Sequence, residues 1–560
     1  MLVAIPFAKP AKLQGDQGRP ALALPGKVAG GERDTRVGGS ETALRAFQHF
    51  RRIRTTGRVG KHKEDGAAEF YTTGMDARIS RRALLAVGGV AAPGMLAAAN
   101  ASDPPEFWTL AQASAALSRR AISSEELTKL CLARIRRLDS GLNSFITITE
   151  EIALAQARAC DEKRARRSKA TTALFGIPIA LKDNIDTAGI RTTAASRVFL
   201  ERVPTEDSEV AARLKTAGVV CLGKLNLDEM AFEGTGTTSC FGPVHNPWNL
   251  EHITGGSSAG SAAALAAGLC YASVGSDDGG SVRIPAAFCG ITGFKTSYGR
   301  VSTRGVVPSA YSLDTVGPMT RTAEDAALVL QALAGFDPAD TITSTAPVPD
   351  YAAALHAPLS KLRIGIPRDY FFDGLHPEVA AAVEEAIRLL RPRFREVREV
   401  TLPRFQFVRN GSYDVELLHY QAPFFQKSPE LYHPWSRRQL TDLQNVTAVN
   451  YVETLKRLRD CRREIGRIFE QVDVLILPTK RDTAPTIQAT IDESYKRPGS
   501  NTSAFNRFGT PAISIPCGFS RNSLPIGLQI VGPHFGEPQV LSVARAYQQV
   551  SDWHTRHPKF

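Results

Sequence analysis

The sequence predicts an α/β fold in which one sheet is covered by helices on both faces. Short apolar runs of strand length alternate with segments of helical periodicity along residues 102–560. The composition, 43% hydrophobic and 22% charged, is that of a globular protein. No internal repeat or long linker divides this stretch, so we predict one large domain from residue 102 to residue 560.

The domain begins with two predicted helices. Ser123 or Ser124 can cap the first, and Glu125 and Glu126 lie in its first turn. Its apolar residues recur at helical spacing, namely Leu127, Leu130, Leu132 and Ile135. The second helix is predicted over about 149–166.

Strands and helices alternate from there to the C-terminus. We predict strands at 175–185, 218–226, 271–276, 362–367, 473–478, 511–518 and 525–532. The clearest helices between them are 207–217, 258–268 and 377–392. The alternation is typical of a sheet that is buried on both faces.

Residues 75–101 have the pattern of an export signal rather than of a folded element. A basic start leads into the weakly apolar stretch 83–99, which ends in an A-x-A cleavage pattern. Residues 80–85, SRRALL, resemble a twin-arginine signal. Glycines and a proline in the apolar stretch argue against a stable membrane anchor. We therefore expect a periplasmic or secreted protein, or a cytoplasmic one if this segment is an ordinary amphipathic helix.

The 74 residues before that signal are predicted to be a disordered or non-native extension, with translation starting at Met75. The net charge of the chain is +12, and most of the positive excess lies before residue 102. The predicted domain is therefore only mildly basic, and no nucleic-acid partner is expected for an exported form. The eight cysteines include no C-x-x-C pair, which predicts buried free thiols without a zinc site or a disulfide framework. No metal or other cofactor is expected.

The stretch GGSSAG at 255–260 fits the G-x-S-x-G pattern of a nucleophile elbow, with Ser258 as the nucleophile. An elbow requires an apolar strand directly before it, whereas 246–254 reads as a polar turn. One alternative is that Ser257 or Ser258 only caps the following helix. Another is a serine esterase in which Ser258 is paired with His534 as its base.

A second glycine-rich loop, GSDDGGS at 275–281, changes this interpretation. Gly279 and Gly280 can turn successive backbone N–H groups inward to hold an oxyanion. A compact helix–strand return joins the two loops, so Ser257 and Ser281 could face each other at one edge of the sheet. Lys182 ends the apolar strand IPIALK, and burial would lower its pKa enough for it to act as a neutral base. Alternatively, Lys182 is a strand-end lysine whose ammonium group reaches solvent.

Three segments together resemble the amidase signature family: KDNI at 182–185, GGSSAGSAAALAAG at 255–268 and GSDDGGSVRIPAAFCGITGFKTSYGRVS at 275–302. The resemblance implies a single large domain with a mixed, twisted β-sheet covered by helices on both faces. It also implies a Ser-cisSer-Lys triad made of the base Lys182, the bridging Ser257 and the nucleophile Ser281. The backbone N–H groups of Asp278, Gly279 and Gly280, together with that of Ser281, would form the oxyanion hole. Supporting contacts would come from Ser258, Asp277 and Arg283.

One residue departs from the family pattern. The family usually has threonine or isoleucine where this chain has Asp278. A carboxylate that pointed into the oxyanion hole would oppose the developing negative charge. We therefore expect Asp278 to point away from the hole or to pair with a cation.

The resemblance implies a serine amidase that hydrolyses a carboxylic amide to the acid and ammonia or an amine through an acyl-enzyme. The alternative within the family is the glutamine-hydrolysing A subunit of a tRNA-dependent amidotransferase. The export signal, and the departure of 437–458 from a glycine- and tyrosine-containing segment of that subunit, favour a free-standing exported amidase. The expected partner is a small amide, and the chain could form a homodimer. A binding protein on an inactive amidase scaffold is a third interpretation.

The amine and acyl halves of the substrate are not encoded in these motifs. Aromatic side chains in the segment 400–450 could line an apolar pocket or pack as core. They are Phe405, Phe407, Tyr420, Phe424, Phe425, Tyr432 and Trp435.

Overall fold

An eleven-stranded mixed sheet organises the chain, as seen in a computed structural model that describes residues 104–166, 172–404, 413–496 and 498–560. The predicted extension 1–74 and the predicted signal 75–101 lie outside the described residues. The strands are β1 (Phe145–Ile148), β2 (Pro178–Lys182), β3 (Val220–Leu225), β4 (His245–Asn246), β5 (Asn249–Ile253), β6 (Ala272–Asp277), β7 (Thr292–Lys295), β8 (Thr315–Thr320), β9 (Arg363–Ile366), β10 (Glu396–Glu399), β11 (Val474–Pro478), β12 (Ala512–Phe519) and β13 (Pro525–Val531).

Helices connect these strands. They are α1 (Leu110–Ser118), α2 (Ser124–Leu142), α3 (Glu150–Ala165), α4 (Glu209–Thr216), α5 (Ala259–Ala266), α6 (Arg283–Cys289), α7 (Ala323–Leu333), α8 (Tyr351–Ala354), α9 (Pro377–Leu390), α10 (Val415–Phe425), α11 (Pro434–Leu443), α12 (Ala448–Phe469), α13 (Ile487–Ile491), α14 (Ser503–Arg507) and α15 (Glu537–Gln548). Ser123 caps α2 through a reciprocal capping box with Glu126, as the sequence indicated.

The strand order of the large sheet is β1-β3-β2-β6-β8-β7-β12-β13-β11-β9-β10. Strands β3, β2 and β6 run parallel to one another, and so do β11, β9 and β10. The strands between these two groups pair antiparallel. The prediction of one large mixed α/β sheet is therefore confirmed.

The central strands β2, β6, β8, β11 and β13 are buried at every residue, so both faces of the sheet are covered. This is why the sequence shows continuous apolar runs rather than alternation. All eight cysteines are free, and six of them are buried. Within the described ranges, no helix combines the length and the apolar character that a membrane crossing requires.

All seven predicted strands are present. The prediction of a polar turn at 246–254 was wrong. The residues expected to be a polar turn form the hairpin of β4 and β5, a small sheet of its own. Its strands are mostly exposed or half-buried, and they do not join the large sheet. The apolar strand that a nucleophile elbow needs is therefore absent before Ser258.

The parallel pairing of β2 with β6 determines where polar groups converge. Ile179 pairs with Ala272 and Leu181 with Val274, so both strands end at the same edge of the sheet. Lys182 is the last residue of β2, and Asp277 is the last residue of β6. Carboxyl ends of parallel strands are the usual place for a ligand site in α/β folds.

Candidate active site

Lys182 contacts Ser257 at that edge of the sheet. The Lys182 Nζ lies 2.7 Å from the Ser257 Oγ, and both side chains are fully buried. Nζ also lies 2.9 Å from the hydroxyl of Ser276 and 3.4 Å from its carbonyl oxygen. A strand-end lysine that reaches solvent is thereby excluded, because Nζ is held by three oxygens inside the protein.

Burial lowers the pKa of Lys182 to about 8, because the ammonium loses its hydration. The carboxylates of Asp278, Asp228, Asp277 and Asp314 oppose this effect, with Asp278 contributing most. The ε-amine is therefore neutral in an appreciable fraction of molecules near neutral pH. A neutral amine beside a serine hydroxyl is the arrangement that a general base requires.

The loop that carries Ser257 is held by Asp228. The Gly256–Ser257 peptide bond is cis, and the Asp228 N–H donates to the Ser257 carbonyl at 3.2 Å. The Asp228 carboxylate accepts hydrogen bonds from the backbone N–H groups of residues 235–238. A Cβ at Gly256 would lie 2.1 Å from the Asp228 Oδ2, so only glycine fits at this position.

Ser258 stands at the N-cap of α5 but does not cap it with its side chain. Its hydroxyl donates to the Ser276 carbonyl at 3.2 Å, and its N–H donates to the Ser281 carbonyl at 3.1 Å. These two bonds tie the loop of Ser257 to the loop of Ser281. Ser258 therefore has a structural contact beside the site, and the helix-capping interpretation does not describe it.

Asp277 and Arg283 form a buried ion pair that fixes the Ser281 loop. Arg283 donates through Nη2 and Nε to the two Asp277 carboxylate oxygens at 2.9 and 3.0 Å, and neither side chain is exposed. Burial alone would raise the pKa of Asp277, but Arg283 holds it well below its usual range. The same carboxylate accepts the N–H groups of Gly280 and Val282, on either side of Ser281.

The engagement of Gly280 corrects one expectation for the oxyanion hole. Its N–H donates to the Asp277 Oδ1 at 2.8 Å, so this group is already bonded and is not open to a substrate oxygen. Among the described residues, the N–H groups of Gly279 and Ser281 have no hydrogen-bond partner. The carbonyl of Gly279 accepts the Thr502 hydroxyl at 2.7 Å, which fixes the orientation of the loop. Gly279 and Ser281 are thus available donors, whereas the predicted Asp278 N–H interacts with its own carboxylate.

The cation expected beside Asp278 is not found among the described residues, and the carboxylate bonds hydroxyl groups instead. Its Oδ1 accepts the Ser281 hydroxyl at 3.3 Å, and its Oδ2 accepts the Ser309 hydroxyl at 2.9 Å. Burial raises the pKa of the Asp278 carboxyl, and Asp277 raises it further. Ser309 and Lys182 act in the opposite direction.

The Asp277–Arg283 pair leads to a prediction about stability. We expect Arg283→Ala to lower the free energy of unfolding by about 3–5 kcal/mol, because it leaves Asp277 charged, buried and unpaired. Urea unfolding followed by circular dichroism measures this. The matched control is Arg388→Ala, which removes an exposed pair with Glu385 and should change stability by less than about 1 kcal/mol. Equal effects of the two substitutions would contradict the assignment.

The Ser258–His534 esterase arrangement is not formed. The His534 Nδ1 lies 2.9 Å from the Gly509 carbonyl oxygen, while the Ser258 hydroxyl is bonded to Ser276. Burial lowers the pKa of His534. The imidazole is thus occupied elsewhere and does not contact the proposed serine.

Sequence reasoning missed Ser276, although it lies inside the GSDDGGS motif. Its hydroxyl accepts from both Lys182 and Asn184 and thereby places the amine. It also missed the residues that hold Arg283 from a distance, namely Thr502, Asn506 and Gln529. They follow Arg283 by more than 200 positions, so no local motif connects them.

Two of the five described aromatic residues of this set are buried in the core, and the other three pack against neighbouring aromatic or core residues. Phe425 and Tyr432 are buried in a cluster with Leu417 and Leu440, and their rings pack edge to face. Phe424 is 38% exposed and packs on Phe199. Tyr420 packs against the same cluster, and Trp435 contacts Phe232. Phe405 and Phe407 lie outside the described residues.

Comparisons with known proteins agree on the protein family that this chain resembles. The profile of the family described as Amidase matches residues 126–541. The A subunit of the glutamyl-tRNA(Gln) amidotransferase of Roseiflexus sp. (strain RS-1) is 44% identical over 484 residues, covering 80% of this chain and 98% of that relative. The corresponding subunit of Methylococcus capsulatus (strain ATCC 33009 / NCIMB 11132 / Bath) is 44% identical over 483 residues, with the same coverage.

Two solved structures are also similar. The native peptide amidase of Stenotrophomonas maltophilia superposes with a TM-score of 0.73 at 30% identity, covering 82% of this chain and 100% of its own. The A subunit of the glutamyl-tRNA(Gln) amidotransferase of Thermotoga maritima superposes with a TM-score of 0.68 at 33% identity. That match covers 81% of this chain and 98% of its own.

Proposed function

The chain belongs to the amidase family, and we propose that it hydrolyses a carboxylic amide to the acid and ammonia or an amine through Lys182, Ser257 and Ser281. The observation that carries the proposal is the buried 2.7 Å contact between the Lys182 Nζ and the Ser257 Oγ. The Ser281 loop is bonded directly to the loop of Ser257. The Ser281 hydroxyl donates to Asp278 in the structure, so its proton transfer to Ser257 is part of the proposal.

The first half of the reaction forms an acyl-enzyme. Neutral Lys182 accepts the proton of the Ser257 hydroxyl, and Ser257 accepts the proton of the Ser281 hydroxyl. The Ser281 Oγ then bonds to the amide carbon, and the carbonyl electrons move to the oxygen. The N–H groups of Gly279 and Ser281 stabilise that oxyanion. The C–N bond breaks as the proton held by Lys182 passes back through Ser257 to the leaving nitrogen.

The second half returns the enzyme to its starting state. Water loses a proton to the same relay and attacks the Ser281 ester. The second tetrahedral intermediate collapses to a carboxylic acid, and Ser281 regains its hydrogen. The protein's own groups supply each proton transfer.

Ammonia release from aliphatic, aromatic and amino-acid amides tests this function. We expect turnover of at least one class by the purified protein, with no metal or cofactor added. The absence of turnover for every amide, by a protein shown to be folded by circular dichroism, would contradict the proposal.

A second candidate is the glutamine-hydrolysing A subunit, and the comparisons favour it over the free-standing exported amidase. The curated relatives of that name match over nearly their whole length. The hypothesis of export rests only on the signal-like sequence pattern of residues 75–101. Glutaminase activity measured with and without added B and C subunits separates the two candidates. A tenfold or larger stimulation, about 1.4 kcal/mol, would assign the amidotransferase role, whereas equal rates would assign a free-standing amidase.

A further inference from the structure

Asp278 lies directly beside the proposed nucleophile. It follows the last residue of β6, and its Oδ1 is 3.3 Å from the Ser281 Oγ. Ser309 holds the other carboxylate oxygen at 2.9 Å, which fixes the orientation of the group. Asp278 is half-buried, so part of this residue beside Ser281 is accessible from outside the protein.

Asp278 has no cation at salt-bridge distance among the described residues. The neighbouring carboxylates each have a cation: Asp277 is paired with Arg283, and Asp183 with Lys224. For Asp278, no lysine or arginine nitrogen in the described part of the chain lies within 4.0 Å, and its side-chain partners are two hydroxyl groups.

An unpaired carboxylate at this position opposes the proposed reaction in two ways. It raises the pKa of Lys182, and it does so more than any other carboxylate around that amine. It would also repel the oxyanion that forms on the substrate carbonyl. Burial raises the pKa of Asp314 and Asp414 in neighbouring segments, and Asp278 raises both further, so neither supplies a cation to Asp278. A positive charge on the substrate would remove this conflict.

Reaction geometry indicates where that charge must be. A carbonyl carbon in position for attack lies about 3–3.5 Å from the Ser281 Oγ. An amine on the carbon next to that carbonyl can then approach the Asp278 carboxylate, whose Oδ1 is 3.3 Å from the same Oγ. Charges at such a distance interact strongly in a partly buried site.

We propose that Asp278 is a specificity-determining residue that selects amides bearing a protonated amine on the carbon next to the scissile carbonyl, as in α-amino-acid amides. The inference rests on the proposed amide hydrolysis by Ser281. It concerns the substrate class, and it adds no step to the reaction.

Three small amides of similar size test the proposal at pH 7. Alaninamide carries an α-ammonium, lactamide has a neutral hydroxyl in its place, and malonamate has a carboxylate on the same carbon. We expect kcat/KM for alaninamide to exceed that for lactamide by at least about tenfold, with malonamate lowest. Asp278→Asn should bring alaninamide and lactamide within about threefold of each other, by slowing the first and accelerating the second.

Matched variants separate charge from structure. Asp278→Glu retains the negative charge and should retain the order of the three amides. Ser309→Ala removes a hydrogen bond but leaves the charge, and should also retain the order. If circular dichroism shows that Asp278→Asn does not fold, Asp278→Thr replaces it. The ratio of kcat/KM for alaninamide to that for lactamide in this variant is then compared with the ratio in the unmodified protein.

Equal rates for alaninamide and lactamide in the unmodified protein would overturn the inference while leaving amide hydrolysis intact. The inference is also overturned if Asp278→Asn retains the tenfold preference. Failure to hydrolyse any of these amides or those of the wider panel would overturn the proposed function, and this inference with it.

Discussion

Ser281→Ala is expected to lower kcat/KM for amide hydrolysis by at least about 10⁴-fold, because no other group can form the acyl-enzyme. The protein should remain folded. The Ser281 side chain makes one side-chain hydrogen bond, to Asp278 at 3.3 Å, and the loop is held independently by Asp277 and Arg283. Unchanged thermal unfolding would therefore accompany the loss of activity.

Covalent labelling provides the direct measurement. A fluorophosphonate should add one phosphonyl group to the unmodified protein, located on Ser281 by peptide mass spectrometry, and none to Ser281→Ala. Ser258→Ala is the matched control, since it removes a neighbouring hydroxyl that the proposal does not use as nucleophile, and it should still be labelled. A label on Ser258 would revive the elbow interpretation. No label on any serine would support a binding protein instead.

The sequence predicts the position of this site because its signals are local. Lys182 ends a continuous apolar run, and Ser257 and Ser281 lie in glycine-rich loops next to short, recognisable elements. Parallel pairing of β2 and β6 then brings the three segments to one edge of the sheet. Local patterns are sufficient to locate these strands, because a continuous apolar run identifies a strand that is buried on both faces.

The same reasoning fails in two situations. In the first, the contact that decides the role of a residue comes from a distant part of the chain. In the second, the close approach of two backbones outweighs the strand propensity of the residues. Gly280 was expected to face a substrate, but its N–H is taken by Asp277, whose position depends on Arg283. Strand β8 was missed because its sequence, TVGPMT, contains glycine and proline. A Cβ at Gly317 would lie 1.8 Å from the Phe294 carbonyl oxygen, so the glycine that weakens the strand signal is required by the neighbouring strand.

Lys182→Met is expected to lower kcat/KM by about 10²–10⁴-fold, because it removes the base and keeps the apolar stem of the side chain. His534→Ala should retain most of the activity, because His534 is bonded to the Gly509 carbonyl and does not contact Ser258. The Ser/His esterase predicts the opposite result for both variants. Steady-state rates for the two variants and the parent protein, with folding checked by circular dichroism, distinguish the mechanisms.

The pH dependence of the parent protein tests the same residue without a mutation. Burial lowers the pKa of Lys182 to about 8, and only the neutral amine can accept the Ser257 proton. The value of kcat/KM should therefore rise through about pH 8 and fall by about tenfold for each pH unit below it. Removing the negative charge in Asp278→Asn should move this limb to lower pH, since Asp278 holds the pKa of Lys182 up. A rate that is flat from pH 6 to pH 9 for a neutral amide, or a limb that Asp278→Asn leaves in place, would show that another group is the base.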